Sequence, residues 1–337
     1  MHSGTLGSGS IKVGEGAELA PDYERRALVA SNHTTTHLMN WALRKVLAGH
    51  SIDQRGSICG PDKLRFDFSY SKPMTATEVG EVQDLVRSII SQSCPLQKKE
   101  VPLGDAKQIK SLRAVFGEVY PDPVRVVSVG PVPHTIDELV AKPDNDDWMK
   151  LSVEFCGGTH LDDAKEATHF CCISEEGTAK GVRRMVGLTK EAALLAIMAA
   201  DDFDKRVAAA ATITDMAALE SEVSKLRSAL DATVMDYYRK DCLKQAVDGL
   251  KEKVLAAEKE ALKAKIAAAT TWAESVDVSA KFVVLAVDVD GDVKGLDAAM
   301  KVVNTKAPLG LLSPFPALPL TAPHSPHFLR SSTCTTV

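Results

Sequence analysis

The sequence predicts an α+β fold, followed by a long helical segment and a partial α/β unit. Three observations carry that prediction. Short apolar strands and segments of helical period alternate through about residues 1–200. From Asp215 to about Ala269 the apolar residues Met216, Leu219, Val223, Leu226 and Leu230 recur at alternating steps of three and four. Ten of the 16 prolines lie at or before Pro143, none lies between Asp144 and Ala307, and the rest follow from Pro308, so proline marks where the organisation changes.

In the first part, Asn32 to Leu47 places Leu38, Met39, Ala42, Leu43, Val46 and Leu47 at helical spacing. Further helices are expected at Thr75 to Ser93 and Thr189 to Ala199, and strands at Leu64 to Phe68, Val124 to Val129, Leu151 to Phe155 and Phe170 to Ile173. The long helical segment continues less regularly through Val234, Leu243, Val247, Leu250 and Val254, and reads either as one helix or as a helical hairpin. Tyr237-Tyr238 and Gly249 are its candidate bends. Lys281 to Asp290 is a continuous apolar strand ending at a glycine turn, with an amphipathic helix near Leu296 to Asn304. One such unit does not cover both faces of its strand, so it belongs to a larger sheet. Beyond Ala307, proline, serine and threonine without periodicity predict disorder.

A chain of 337 residues that is 45% hydrophobic can bury a sizeable core, with more than one domain expected. Its first residues carry no apolar signal region and its longest apolar run, Ala192 to Ala200, is too short to span a bilayer, so the reading is soluble, intracellular and without a membrane partner. Seven cysteines without framework spacing are read as reduced thiols. A net charge of −5 argues against a generally basic nucleic-acid coat. Any RNA must therefore meet a local patch, such as Lys63 with Arg65 or Lys180 with Arg183 and Arg184; each reads equally well as a solvated surface.

Two short pairs carry the chemistry. His33 and His37 lie four apart on the first helix, which puts both imidazoles on one face. About 120 residues later comes Cys156-Gly157-Gly158-Thr159-His160, whose glycines suit a sharp turn rather than a helix interior. Together the pairs supply the four nitrogen and sulfur ligands that zinc prefers. Taken separately, Cys156 is as readily an ordinary buried thiol and His160 a satisfied core histidine.

The segments Asn32 to Leu38, Gln54-Arg55-Gly56-Ser57, Leu64-Arg65-Phe66-Asp67-Phe68-Ser69, Val115 to Tyr120 with Val124 to Ser128, Ser152 to His160, and Gly181-Val182-Arg183-Arg184 closely resemble the editing domain of alanyl-tRNA synthetases. Threonyl-tRNA synthetases have a related second additional (editing) domain, but the Cys-Gly-Gly-Thr-His form resembles the alanine enzyme. The resemblance runs from about Val13 to Ala307. It divides the chain into a barrel remnant or linker at 1–26, a zinc-binding editing domain at 27–200, long helices at 201–274, a truncated C-terminal α/β domain at 275–307 and a tail unlike the family at 308–337. No ATP-binding or class II aminoacylation segment is recognisable, and the chain reads as a fragment of such an enzyme.

The resemblance implies zinc-dependent hydrolysis of tRNA(Ala) mischarged with serine or glycine. A pocket built for a methyl group rejects an isostere bearing a hydroxyl only weakly, so a second sieve supplies the missing discrimination. His33, His37, Cys156 and His160 would hold one Zn²⁺. Four protein ligands also suit a structural zinc, so catalysis and structure both remain open. Gln54 matches a pocket glutamine of the family and is the candidate catalytic contact; from spacing alone it reads as a loop residue beside Gly56. Arg65, Asp67, Arg183 and Arg184 are the candidate tRNA contacts. A homodimer through the helical or C-terminal region and a cytoplasmic location, with the mitochondrion left open, complete the expectations. The alternative is a non-catalytic zinc module that binds tRNA or a partner.

Overall fold

Pro21 and Asp22 immediately precede the first helix of the computed structural model, which describes residues 4–18, 20–115, 117–278, 284–287, 293–306, 311–314 and 327–332. These fall into two units, Met1–Ala208 with Ser228–Gln245, and Ala209–Arg227 with Ala246–Val337. No helix among the described residues is long and apolar enough to cross a membrane.

In the first unit the Asp22 side chain accepts the Arg25 amide and caps α1 (Tyr23–Val46). The helix thus begins nine residues before the expected Asn32, because its first turns are exposed and carry no apolar period. The elements that follow are β1 (Gln54–Cys59), β2 (Leu64–Ser69), α2 (Ala76–Ser91), β3 (Gln97–Val101), α3 (Leu103–Ala106), β4 (Leu112–Arg113), β5 (Val124–Val129), α4 (Ile136–Ala141), β6 (Ser152–Phe155), β7 (Phe170–Ala179), β8 (Val182–Thr189) and α5 (Lys190–Ala211). Reciprocal capping boxes, Thr75 with Glu78 and Thr135 with Glu138, set the starts of α2 and α4.

The strands form two four-stranded sheets, ordered β1-β2-β8-β7 and β3-β5-β6-β4. All pairs are antiparallel except β4 with β6. Phe66, Phe68, Phe170 and Met185 of the first sheet pack with Leu38, Met39 and Leu43 of α1, Val79, Val82 and Val86 of α2, and Val127 and Val129 of β5 in one core. A second core joins Val124, Val126, Val153 and Phe155 to Ile136, Leu139 and Trp148. Helix α1 touches strands of both sheets, which is what allows it to carry a site between them.

Several elements outrun the sequence reading. Strand β7 continues from the expected Ile173 to Ala179 through polar residues that pair with β8, and their turn includes Gly181 at φ +74°. Helix α5 runs on past Ala199 through an alanine-rich stretch. Strands β1, β3, β4 and β8 had no apolar signal of their own.

The helical segment is two helices, α6 (Met216–Ala232) and α7 (Tyr237–Ser275). The break falls just before Tyr237, where Asp236 accepts the Arg239 amide, and α7 continues unbroken through Gly249. Ion pairs Arg227–Asp248 and Lys244–Asp231 hold the two helices side by side, so the hairpin is the observed form. In the second unit, β9 (Val284–Val287) is the described part of the expected Lys281 to Asp290 strand, and α8 (Val293–Lys306) follows it. Ala269, Ala273, Val287, Ala299 and Val303 form its core. Two short strands, β10 (Leu311–Pro314) and β11 (His327–Ser332), complete an antiparallel sheet ordered β10-β11-β9. They fall in the tail expected to lack structure, at its apolar segments Leu311-Leu312 and Phe328-Leu329; the rest of that tail lies outside the described residues.

Candidate metal centre

The middle of α1 is buried yet polar: Ser31, Asn32, Thr34, Thr35, Thr36, His37 and Asn40 are all sequestered from solvent. Burying such groups is costly unless they are hydrogen-bonded, and most of them are. Asn32 donates to Gly60 O at 2.8 Å and accepts from Thr189 Oγ1 at 2.8 Å, which ties α1 to the first sheet. Ser152 Oγ on β6 donates to His37 O at 3.2 Å, which ties the helix to the second. The register of α1 between the sheets is therefore set by polar contacts as well as by packing.

That register delivers His33 and His37 to the turn after β6. The possible ligand atoms of His33, His37, Cys156 and His160 all lie within 4.8 Å of one another. His33 Nε2 and His160 Nε2 each stand 3.3 Å from Cys156 Sγ. Ligands at tetrahedral zinc distances are separated by about 3.3–3.6 Å, so the cluster has the size of one metal site, and its three nitrogens and one sulfur suit zinc.

The surroundings orient these ligands. With Nε2 turned inward, His33 Nδ1 donates to Thr159 O at 3.1 Å, and His160 Nδ1 donates to Thr34 Oγ1 at 3.1 Å. Thr34 Oγ1 also accepts the Leu161 amide at 3.1 Å. His37 Nε2 lies 3.5 Å from Glu154 Oε2, and Asn40 Nδ2 donates to Glu154 Oε1 at 2.8 Å. Arg125 Nη1 donates to the carbonyls of Cys156 at 3.2 Å and Gly158 at 2.7 Å, clamping the turn. Gly158 is required for a steric reason: a Cβ there would stand 2.3 Å from His33 Cε1, whereas one on Gly157 would meet nothing within 4 Å.

Burial keeps the imidazoles neutral and ready to ligate. It lowers His33 and His37 from 6.5 to about 4, with His37 adding to the effect on His33, and it lowers His160 in the same direction. Burial raises the Cys156 thiol above its ordinary value. It also raises Glu154 from 4.5 to about 7, against the opposing hydrogen bond from Asn40.

The cluster opens onto a cavity of about 480 Å³ lined by His33, His37 and Cys156 together with Thr36, Gln54, Ser57, Arg125 and Glu154. Gln54, at the start of β1, faces this cavity rather than a remote loop, and its Nε2 donates to Ser57 Oγ at 3.2 Å. Thr36 Oγ1 donates to Asn32 O at 2.8 Å and lies 3.4 Å from Cys59 Sγ. Sequence reasoning assigned no role to Thr36, Ser57, Arg125 or Glu154. Only Glu154 carried a signal, as an acid two residues before a candidate ligand in an otherwise apolar strand.

The remaining candidates lie elsewhere, on β2 and β8. Arg184 donates to Asp67 through two bonds, at 2.8 and 2.9 Å, with Arg65 Nη2 at 3.5 Å from the same carboxylate. The Arg184 hydrogen bonds hold Asp67 below its ordinary value. Arg183 donates to both carboxylate oxygens of Glu175 at 2.5 Å. None of the four lines the cavity, and each is engaged in an ion pair within the chain.

Residues 124–186, which span β5 to β8, match the family described as the Threonyl and Alanyl tRNA synthetase second additional domain. The chain is 35% identical over 308 residues to the alanine–tRNA ligase of Candida albicans, a match covering 90% of this chain and 31% of that protein. It is 38% identical over 320 residues to the cytoplasmic alanine–tRNA ligase of Drosophila melanogaster, covering 91% of this chain and 32% of that one. The mitochondrial alanine–tRNA ligase of Saccharomyces cerevisiae is 39% identical over 254 residues, covering 75% of this chain and 25% of its own. The chain thus spans about a third or less of the length of these relatives. The matched domain contains Cys156 and His160, and α1 brings His33 and His37 to them from outside it.

Proposed function

The chain is a relative of the alanyl-tRNA synthetases, and from that premise we propose that it hydrolyses the ester of tRNA(Ala) misacylated with serine or glycine. The observation that carries this reading is the cavity that sets the His33, His37, Cys156 and His160 cluster beside Gln54, Thr36 and Ser57. Zinc held by those four ligands would supply Lewis-acid polarisation of an ester carbonyl.

The chain's own residues prepare the site for that reaction. Thr34, Thr159 and Glu154 fix the imidazoles, and Arg125 holds the Cys156 to Gly158 turn. Thr36 has its hydroxyl proton engaged by Asn32 O, so it presents a fixed wall. Among the described residues the Gln54 side chain is held only through Ser57, so its amide could exchange that bond for one to the substrate and orient it. The contacts of Arg65, Asp67, Arg183 and Arg184 with tRNA remain part of the proposal. The three arginines would exchange their carboxylate partners for phosphate and Asp67 would meet a sugar hydroxyl or base N–H donor instead, and replacing Arg183 and Arg184 together should weaken tRNA binding and flatten its salt dependence. An unchanged slope would remove them from the interface.

Purified zinc-loaded protein incubated with Ser-tRNA(Ala) tests hydrolysis. Deacylation that disappears in Cys156→Ala supports it, and folded, zinc-loaded protein that leaves the ester intact rejects it. A second reading is favoured by the closed count of four protein donors, which is the habit of structural zinc. In that case the protein binds tRNA tightly without hydrolysis. Sedimentation would read the expected homodimer, and fractionation the expected cytoplasmic location against a mitochondrial one.

A further inference from the structure

A second cavity, of about 280 Å³, lies between α1 and the β4–β6 pair; its lining includes Trp41, Arg44, Lys45, Ser111, Arg113 and Glu154. Three of these side chains are cationic and one is a carboxylate. Arg44 Nε and Nη1 are buried and have no hydrogen-bond partner among the described residues, and neither has Ser111 Oγ, on a residue only 6% exposed. Arg113 donates only weakly, at 3.3 Å, to the carbonyl of its own neighbour Leu112. The single lining carboxylate, Glu154, is engaged by Asn40 Nδ2 at 2.8 Å and lies beside His37. Arg113 is near enough to favour its charged form, but no ion pair joins Glu154 to Arg44 or Arg113 among the described residues.

Buried guanidinium groups lacking acceptors are costly, and an anionic ligand would offset that cost. Arg44 and Lys45 sit in the last turn of α1, where a cation is favourable in itself, but the helix end does not satisfy Arg44 Nε and Nη1. Two planar guanidinium forks with a spare hydroxyl match the oxygens of a phosphate group. A narrow gap of about 30 Å³, lined by Arg44, Arg113, Gln54 and Glu154, adjoins this cavity on one side and the metal cavity on the other.

We propose that the Arg44, Arg113 and Ser111 cavity is a phosphate-binding site that takes a backbone phosphate of the RNA whose 3′ end enters the metal cavity. The identity of that RNA end rests on the proposed function; the anion site does not.

The test uses the zinc-loaded full chain with two probes, unacylated tRNA(Ala) and inorganic phosphate. Arg44→Gln and Arg113→Gln should each weaken tRNA binding about tenfold and reduce the slope of log affinity against log salt by roughly one, as expected for one lost phosphate contact. Ser111→Ala, which removes a hydroxyl with no internal partner, should cost a few-fold and keeps the test open if an arginine variant fails to fold. Inorganic phosphate should compete with tRNA, and its ³¹P line broadening by the protein should vanish in Arg44→Gln. Phosphate binding lost in the variants with tRNA affinity and slope unchanged would overturn the RNA assignment. Both probes indifferent to Arg44, Arg113 and Ser111 would overturn the site itself. No deacylation by the unsubstituted protein, with these binding results obtained, would count against the proposed hydrolysis and leave the phosphate site standing.

Discussion

The ring of His33 packs against the backbone of Gly158 so closely that a methyl group there would sit 2.3 Å from its Cε1. The second glycine of the turn is thus a constraint on a candidate metal ligand rather than only a device for bending the chain. Gly158→Ala should displace His33 and lower zinc affinity about tenfold or more, whereas Gly157→Ala should leave it within about twofold. Competition with a chromophoric chelator measures both, and equal affinities for the two variants would refute the steric account.

Cys156 enters the site as a thiol, because burial raises its pKa above the ordinary value, while the three histidines are already neutral. Zinc uptake near pH 7 should then release about one proton per ion. Titration calorimetry in buffers of different ionisation enthalpy reports the number. Cys156→Ala should release close to none, and a wild-type value near zero would mean that the thiol is already ionised.

Acid should destabilise the metal-free protein. His33 and His37 titrate at about 4 when folded and at 6.5 in an open chain, so between those values the unfolded chain holds more protons and stability falls as pH falls. His160 acts in the same direction. Glu154 opposes them: at about 7 folded against 4.5 unfolded, it favours the folded state as pH falls through that window. Three histidines against one glutamate predict a net drop in the denaturation midpoint from pH 7 to 5, steeper in Glu154→Gln. A midpoint that rises on acidification would contradict this balance.

Outside the candidate metal cluster, Asp236 is fully buried and accepts from Arg87 Nη2 at 2.8 Å and Gln83 Nε2 at 2.7 Å while capping α7. Asp236→Ala removes a helix cap, one of the acceptors of Arg87, which keeps its bond to Phe170 O, and the acceptor of the buried Gln83 amide, which together should cost about 2 kcal/mol. Urea denaturation of the zinc-loaded protein measures it. Zinc content should not change, and a loss below about 1 kcal/mol would show that Arg87 finds another acceptor.

How far the sequence could be read follows from where each residue's reason lies. His33 and His37 were legible because helical period alone puts them on one face, and Cys156 and His160 because two glycines between them imply a turn. Gln54 was visible only through resemblance, since its spacing says loop. Glu154 gave only a faint signal, and Thr36 and Arg125 none: Arg125 meets the Cys156 and Gly158 carbonyls only once β5 pairs with β6, Glu154 meets Asn40 and His37 only once α1 lies against β6, and Thr36, bonded within its own helix to Asn32 O, lines the cavity only in the folded chain. Among the elements, strand β5 was readable from its run of valines. Strand β8 was not, because Arg183 and Arg184 gain their place by pairing with β2 and β7. The early start of α1 depends on Asp22, a cap rather than a periodic residue.

The meeting of His33 with Cys156 joins positions 123 residues apart in the chain. An ion shared by them would act on the unfolded protein as a crosslink acts, removing the conformational freedom of a very long loop, a difference of about 5 kcal/mol on the chain-entropy scale. Free zinc would then set how much of the domain is folded, so the metal supply of its surroundings would govern its lifetime against proteases before it governed any reaction rate.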